Sequence, residues 1–345
     1  MFATPHPRPP RIAAAALAVA CSLSACDRVP PDATPDRTGA IPGAAATAVR
    51  HDLSARPEAT SLLGEPLFPL LPDSADLAAM LADLDSAEAA FEADPEDTDA
   101  IIWVGRRLAY LGRYNSAIEV FTDGIERHPD DPRLYRHRGH RYISVRQLDR
   151  AIEDLEHAAR LVAGQRDRIE PDGQPNPAGI PRSTLNTNIW YHLGLARYVN
   201  GDFAGAAHAF REGYRISPND DMRVAMADWL WLALHRLDRR EEADTLLRDV
   251  LGDSLRILEN QAYERRLRLY AGELTPDQLL PPDADALAIA TYGYGLGTWH
   301  LLHGDTTAAR AIYEDLIATG YWPAFGYLAA EAELARMRPR DTGSE

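Results

Sequence analysis

Lysine is absent from this 345-residue chain, and all 36 basic residues are arginine. That excludes a P-loop lysine, a Schiff-base lysine and a lysine general base. Cysteine is nearly absent, with Cys21 and Cys26 the two in the chain. Beyond residue 26 there is no thiol to supply a disulfide, a nucleophile or a metal ligand. There is no GxSxG elbow, no HExxH, and no stretch alternating with the period of a strand. Positive charge is outnumbered: 52 acids against 36 arginines give a formal charge of −16 and a pI near 5.1. A chain of that balance has no basic footprint for nucleic acid. What it does have is 46% apolar residues, ample for a core.

The N-terminus is the most specific stretch. Arg8 and Arg11 precede an apolar run, Ile12 to Cys21, too short to span a membrane comfortably, followed by Leu23-Ser24-Ala25-Cys26. A basic start, a short apolar core and small residues before a cut make a secretory signal over residues 1–25. The Leu-Ser-Ala-Cys quartet resembles the lipobox of bacterial lipoproteins. That resemblance implies cleavage before Cys26, acylation of Cys26, and anchorage on a bacterial envelope membrane facing the periplasm. Asp27 resembles an inner-membrane retention signal. Residues 26–60 are rich in Pro, Ala, Asp and Thr and carry no helical stripe, so a disordered tether spanning about 30 Å is expected.

From Leu62 order is expected. Asp73 or Ser74 caps a helix with Leu77, Met80, Leu81, Leu84, Ala87 and Phe91 on one face, forming an N-terminal capping unit over 61–97. Then the chain repeats. In Asn188–Asp220, Trp190, Leu193 and Gly194 mark one helix, Gly201 turns the corner, Ala206, Phe210 and Gly213 mark a second, and Pro218 stops it. Gly105 and Gly139, and Ala117 and Ala151, stand 34 residues apart. This is similar to the tetratricopeptide repeat (TPR), whose unit is a 34-residue helical hairpin. The expected fold is all-α, a TPR solenoid wound as a right-handed superhelix. Repeats 1 and 2 fill 98–165, and repeats 3 and 4 fill 187–257. Shorter helices around 254–271 and 276–280 and a fifth unit from Leu287 fill 258–338. Pro323 opens a terminal capping helix with Phe325, Leu328 and Leu334 inward and Glu331, Glu333 and Arg336 outward. Residues 339–345 are a tail. A Pro-rich insertion, 166–186, breaks the register, and long loops in compact folds tend to be functional or disordered.

Motifs that mimic chemistry have blander explanations. His137-x-x-His140 and His300-x-x-His303 lack a partnering Glu or Cys, so surface or groove histidines explain them better than a metal. Gly293-Tyr-Gly295-Leu-Gly297 follows no strand and serves helix packing rather than a dinucleotide. Nothing supports catalysis, and no cofactor is expected.

One local feature stands against the acidic background. Arg133–Arg150 holds six Arg, two His and one acid, Asp149. Groove-facing TPR positions select Arg106 and Tyr110 in repeat 1, Arg133, Arg136 and His140 in repeat 2, and Tyr191, Leu195 and Tyr198 in repeat 3. An Arg-rich end beside an aromatic, apolar end would suit a peptide segment of a partner protein, with a carboxylate on the arginines. The competing reading is that these arginines neutralise neighbours such as Glu126, Asp130, Asp131, Glu153 and Asp154. A second functional class is a solute- or glycan-binding lipoprotein using 166–186 as a lid.

The segments DWLWLALHRLDRREEADTLL, LYAGELTPDQLL and TWHLLHGDTTAARAIYEDL, with the lipobox and repeats, resemble the NlpI-type periplasmic TPR lipoproteins over about residues 75–338. The resemblance implies a non-enzymatic adaptor, often a homodimer, that docks cell-wall hydrolases and a periplasmic protease. The insertion and the longer acidic tether depart from that pattern.

Overall fold

The structure, a computed structural model, describes residues 56–338 except 72, 253, 282 and 283. The signal segment, Cys26, Asp27, the tether through residue 55 and the tail 339–345 lie outside the described residues. Residues 56–60, placed by the sequence in the tether, are part of the folded body: the Glu58 carboxylate accepts from the Asn115 N–H and side-chain amide, both at 2.9 Å. Two short strands, β1 (Ala59–Thr60) and β2 (Pro66–Leu67), pair antiparallel with Ala59 opposite Leu67.

Everything else regular is helix. The described helices are α1 (Ser74–Ala93), α2 (Thr98–Tyr110), α3 (Tyr114–Arg127), α4 (Pro132–Ser144), α5 (Leu148–Leu161), α6 (Leu185–Asn200) and α7 (Phe203–Ile216). They continue with α8 (Asp220–Arg236), α9 (Arg240–Leu251), α10 (Gln261–Tyr270), α11 (Pro276–Leu279), α12 (Ala286–Leu302), α13 (Thr306–Ala318) and α14 (Phe325–Arg336). No helix among the described residues is long and apolar enough to cross a membrane.

The hairpins follow from small, local choices. The side chains of Asp97, Asp131 and Asp202 cap α2, α4 and α7, and Pro132 occupies the first turn of α4, where no N–H is needed. A side chain at Gly194 would sit 2.6 Å from the Phe210 ring, so glycine there lets α6 and α7 approach within packing distance. Gly201, at φ +91°, closes that hairpin in a left-handed conformation that glycine adopts without strain. Successive hairpins stack, with α4 against both α2 and α6 and α6 against α8. These first helices form the inner face. The fold is thus an all-α helical-repeat solenoid. The triple-glycine stretch of α12 is packing: side chains at Gly293 and Gly295 would meet Leu316 and Arg266, and Gly297 lies against Tyr313.

Two further expectations are corrected. The helix expected around 254–271 begins only at Gln261. The buried Asp221 carboxylate takes the N–H groups of Leu258, Glu259 and Asn260 at 2.9 to 3.0 Å and holds that segment as a loop. The larger correction concerns α14. It is buried on every side from Gly326 to Leu334, and Glu331 and Glu333, expected outward, are 0% and 2% exposed. Glu331 meets Arg146 at 2.9 Å and Glu333 meets Arg236 at 2.6 Å. The Leu62 N–H donates to Glu331, and the Trp322 indole N–H donates to the Phe68 carbonyl at 2.6 Å. The last helix therefore plugs the solenoid and joins its two ends, where a terminal cap would present a polar face to water.

Candidate interaction site on the inner helix face

The inner face is open only in part, because α14 lies on it. Phe325 reaches His140, Tyr191 and His192 at ring-centroid distances of 5.5, 6.0 and 5.7 Å. Behind it, the Tyr191 hydroxyl bonds the Tyr263 hydroxyl at 2.6 Å, and the Tyr294 hydroxyl donates to Tyr198 at 3.0 Å. Tyr191, Leu195 and Tyr198 are 8%, 0% and 0% exposed. The apolar end of the expected groove is thus core, filled by the chain's own last helix, and offers nothing to a partner.

The arginine end is different. Arg106, Ala109 and Tyr110 of α2, Phe121 of α3, and Arg136, His137, His140 and Arg141 of α4 surround a cavity of about 110 Å³. Four sequence-selected residues, Arg106, Tyr110, Arg136 and His140, are brought together there. Arg133 is not; it lies at the start of α4, bonded through Nε to Asp131 at 2.9 Å and also paired with Asp99.

The insertion supplies what the sequence could not place. It is tied down by Thr184 donating to Asp167 at 2.6 Å and by Arg182 on Asp221 at 2.7 Å. Between these ties it crosses the inner face. The Glu170 carboxylate meets Arg136 at 2.9 Å and accepts from the Asn188 amide at 2.9 Å. The Pro171 carbonyl accepts from Arg106 at 2.8 Å, and Gly173 lies so close to Tyr110 that a side chain there would strike its hydroxyl.

The arginine cluster divides. Arg138 chelates Asp154 with two bonds of 2.7 Å, Arg133 is spent on Asp131 and Asp99, and Arg146 on Glu331. For these three the neutralising reading describes the side chain. Arg136 is matched by the insertion. Arg106 bonds only neutral oxygens, the Tyr110 hydroxyl at 3.1 and 3.2 Å and the Pro171 carbonyl, while its guanidinium stacks on Trp103 at 4.3 Å. The guanidinium of Arg141, absent from the groove positions read from sequence, has no hydrogen bond or ion pair with any described residue and lies 5.4 Å over the Tyr114 ring. Burial, with Arg136 and Arg106 nearby, pulls it down to about 10, still charged at neutral pH. Burial first, then the surrounding guanidinium groups, hold His137 and His140 well below the ordinary histidine range, so both imidazoles are neutral. The signal for Arg141 was present: six arginines with one acid in eighteen residues leave some unpaired. Its helical position gave no hint, since a long side chain can reach a cavity that its backbone does not face.

No protein-family model matches the sequence, and no curated protein matches it. Among solved structures the chain is similar to a tetratricopeptide repeat protein from Parabacteroides merdae, at 13% identity over 76% of this chain and 95% of that one, with a TM-score of 0.46. It is also similar to YrrB, described as a TPR protein with an unusual peptide-binding site, at 15% identity over 73% and 99%, with a TM-score of 0.40. MamA is similar at 19% identity over 53% and 95%, with a TM-score of 0.39. The hairpins of this chain, recurring at 34 residues, form an all-α helical-repeat solenoid.

Proposed function

We propose that this chain is a non-enzymatic interaction scaffold of the bacterial cell envelope, tethered through acylated Cys26 with its folded body on the periplasmic side. It docks an acidic segment of a partner protein on the part of the inner face built by α2 and α4. The observation that carries this reading is the insertion itself. Residues 167–173 lie over that face as an irregular strand of peptide, with the Glu170 carboxylate on Arg136 and the Pro171 carbonyl on Arg106. The face accommodates acidic peptide because it already holds one. A partner segment adds to, or exchanges with, this resident strand.

The cavity is too small for a glycan. Pockets that engulf drug-sized ligands run to roughly 300–1,000 Å³, against about 110 Å³ here. The lid-and-glycan reading therefore has no chamber to close at this place. Crosslinking on intact membranes, followed by purification of the chain, tests the proposal. A second protein is expected to co-purify, and Cys26→Ser is expected to move the chain from the membrane to the soluble fraction. Recovery of the chain alone under crosslinking, or membrane retention of Cys26→Ser, would overturn the corresponding half.

A further inference from the structure

The charges around the α2–α4 cavity do not balance. Three guanidinium groups line it, from Arg106, Arg136 and Arg141. Glu170 matches one, at Arg136. Arg106 has only the Tyr110 hydroxyl and the Pro171 carbonyl, both neutral, and two of its five N–H groups remain unused. Arg141 has no acceptor among the described residues. The Nε of Arg136 is buried and likewise lacks one. Two positive charges thus stand unmatched by carboxylate in a cavity also lined by Phe121 and Ala109. Gathering like charges against an apolar wall costs stability, and folds keep such clusters where an anion completes them.

We propose that this cavity is a binding site for one compact, doubly charged oxoanion, held between the guanidinium forks of Arg141 and Arg106. Charge sets the valence: two unmatched cations ask for a dianion. Size sets the group. At about 110 Å³ the cavity far exceeds the ~10–15 Å³ that one water needs, yet falls short of a chamber for a sugar chain. Geometry sets the chemistry, since planar guanidinium groups bind carboxylate and phosphate oxygens through paired N–H bonds that ammonium groups cannot match. A phosphate group or a close pair of carboxylates has the same chemistry here. The proposal deepens the docking reading in sharing its face, by naming the chemical group that face takes.

Calorimetric titration of the full chain in detergent, with inorganic phosphate and separately with malonate at constant ionic strength, tests it. Saturable one-to-one binding of at least one anion is expected, and the two arms separate a tetrahedral phosphate group from paired carboxylates. Arg141→Gln should weaken binding by about tenfold or more without lowering the ligand-free Tm, because no hydrogen bond or ion pair is lost and a charge is removed from a crowded cluster. Arg141→Lys, a charge without the fork, should fall between. Arg160→Gln, on an exposed side chain away from the cavity, should bind like the parent. Absence of saturable binding by either anion, or undiminished binding in Arg141→Gln, would overturn the site. A chain that binds no dianion but still crosslinks a partner loses this site and keeps the docking role.

Discussion

Arg146 occupies a position that its neighbours give to glycine. It has φ +63° at the corner of the α4–α5 hairpin, 34 residues after Gly112, which turns the α2–α3 corner at φ +73°. A left-handed conformation costs a non-glycine residue about 1–2 kcal/mol, so Arg146→Gly relieves strain locally. The side chain argues the other way. It is 3% exposed and meets Glu331, 0% exposed, through Nη2 at 2.9 Å and Nε at 3.2 Å, while also donating to the Ser144 and Trp322 carbonyls. Removing one partner of a buried ion pair costs about 3–5 kcal/mol, because the remaining charge keeps its desolvation and loses its match. After Arg146→Gly, Glu331 would retain the Leu62 N–H and nothing cationic. The net expectation is a loss of about 1–4 kcal/mol, or roughly 2–10 °C in Tm for a body of this size. Scanning calorimetry on Arg146→Gly, Glu331→Gln and the double variant measures it, and the double variant should lose less than the two singles summed, by about 1–3 kcal/mol. A glycine variant as stable as the parent, or more so, would refute the claim that this pair fastens α14 into the solenoid.

Acid should weaken the body through its histidines. His137 and His192 are 6% and 4% exposed and held well below the ordinary range by burial and by Arg136. Groups depressed in the folded state are satisfied above the unfolded value near 6.5 and penalised as pH falls below it. The unfolding free energy from urea titration should therefore be lower at pH 5.5 than at pH 7.5, by up to about 1.4 kcal/mol per histidine one unit below 6.5, and a flat profile would contradict neutral burial. Gly194→Ala tests the helix approach. The new methyl presses on the fully buried Phe210 ring, and overpacking of about 1–3 kcal/mol outweighs the roughly 1 kcal/mol of added helix propensity. A Tm decrease of a few degrees is expected, and an increase would show that α6 and α7 have slack.

The hairpins were legible because their determinants are local. Aspartate caps, a proline at the start of α4, and small-against-large pairs such as Gly194 and Phe210 sit within one 34-residue unit, and periodicity reports them. What closes the solenoid was not legible, because its determinants pair residues 185 to 269 positions apart, as in Arg146 with Glu331 and Leu62 with Glu331. A helix carrying Glu331 and Glu333 reads as amphipathic when their partners are unknown, and once Arg146 and Arg236 neutralise them those carboxylates can lie inside. The same blindness displaced the expected groove. Tyr191, Leu195 and Tyr198 do face inward from α6, as repeat position implies, but inward is where α14 lies.

That displacement changes what the inner face can do. A free TPR groove binds by length, with several repeats contributing to one extended ligand. Here α14 removes repeat 3 from that surface and the insertion crosses repeats 1 and 2, so recognition contracts to the neighbourhood of one small cavity. Contraction raises the weight of each charge. Over a long groove, a single unmatched guanidinium would be one solvated contact among many, worth little. Beside Phe121, with Phe325 closing the adjacent end and neutral imidazoles in place of counterions, Arg141 and Arg106 act where water is partly excluded and an anion is held more strongly. The insertion fits the same logic: Glu170 neutralises Arg136, the most buried of the three, and leaves the two more accessible forks to a ligand. The chain thus satisfies the arginine that folding cannot leave bare and keeps unmatched the two that binding can use.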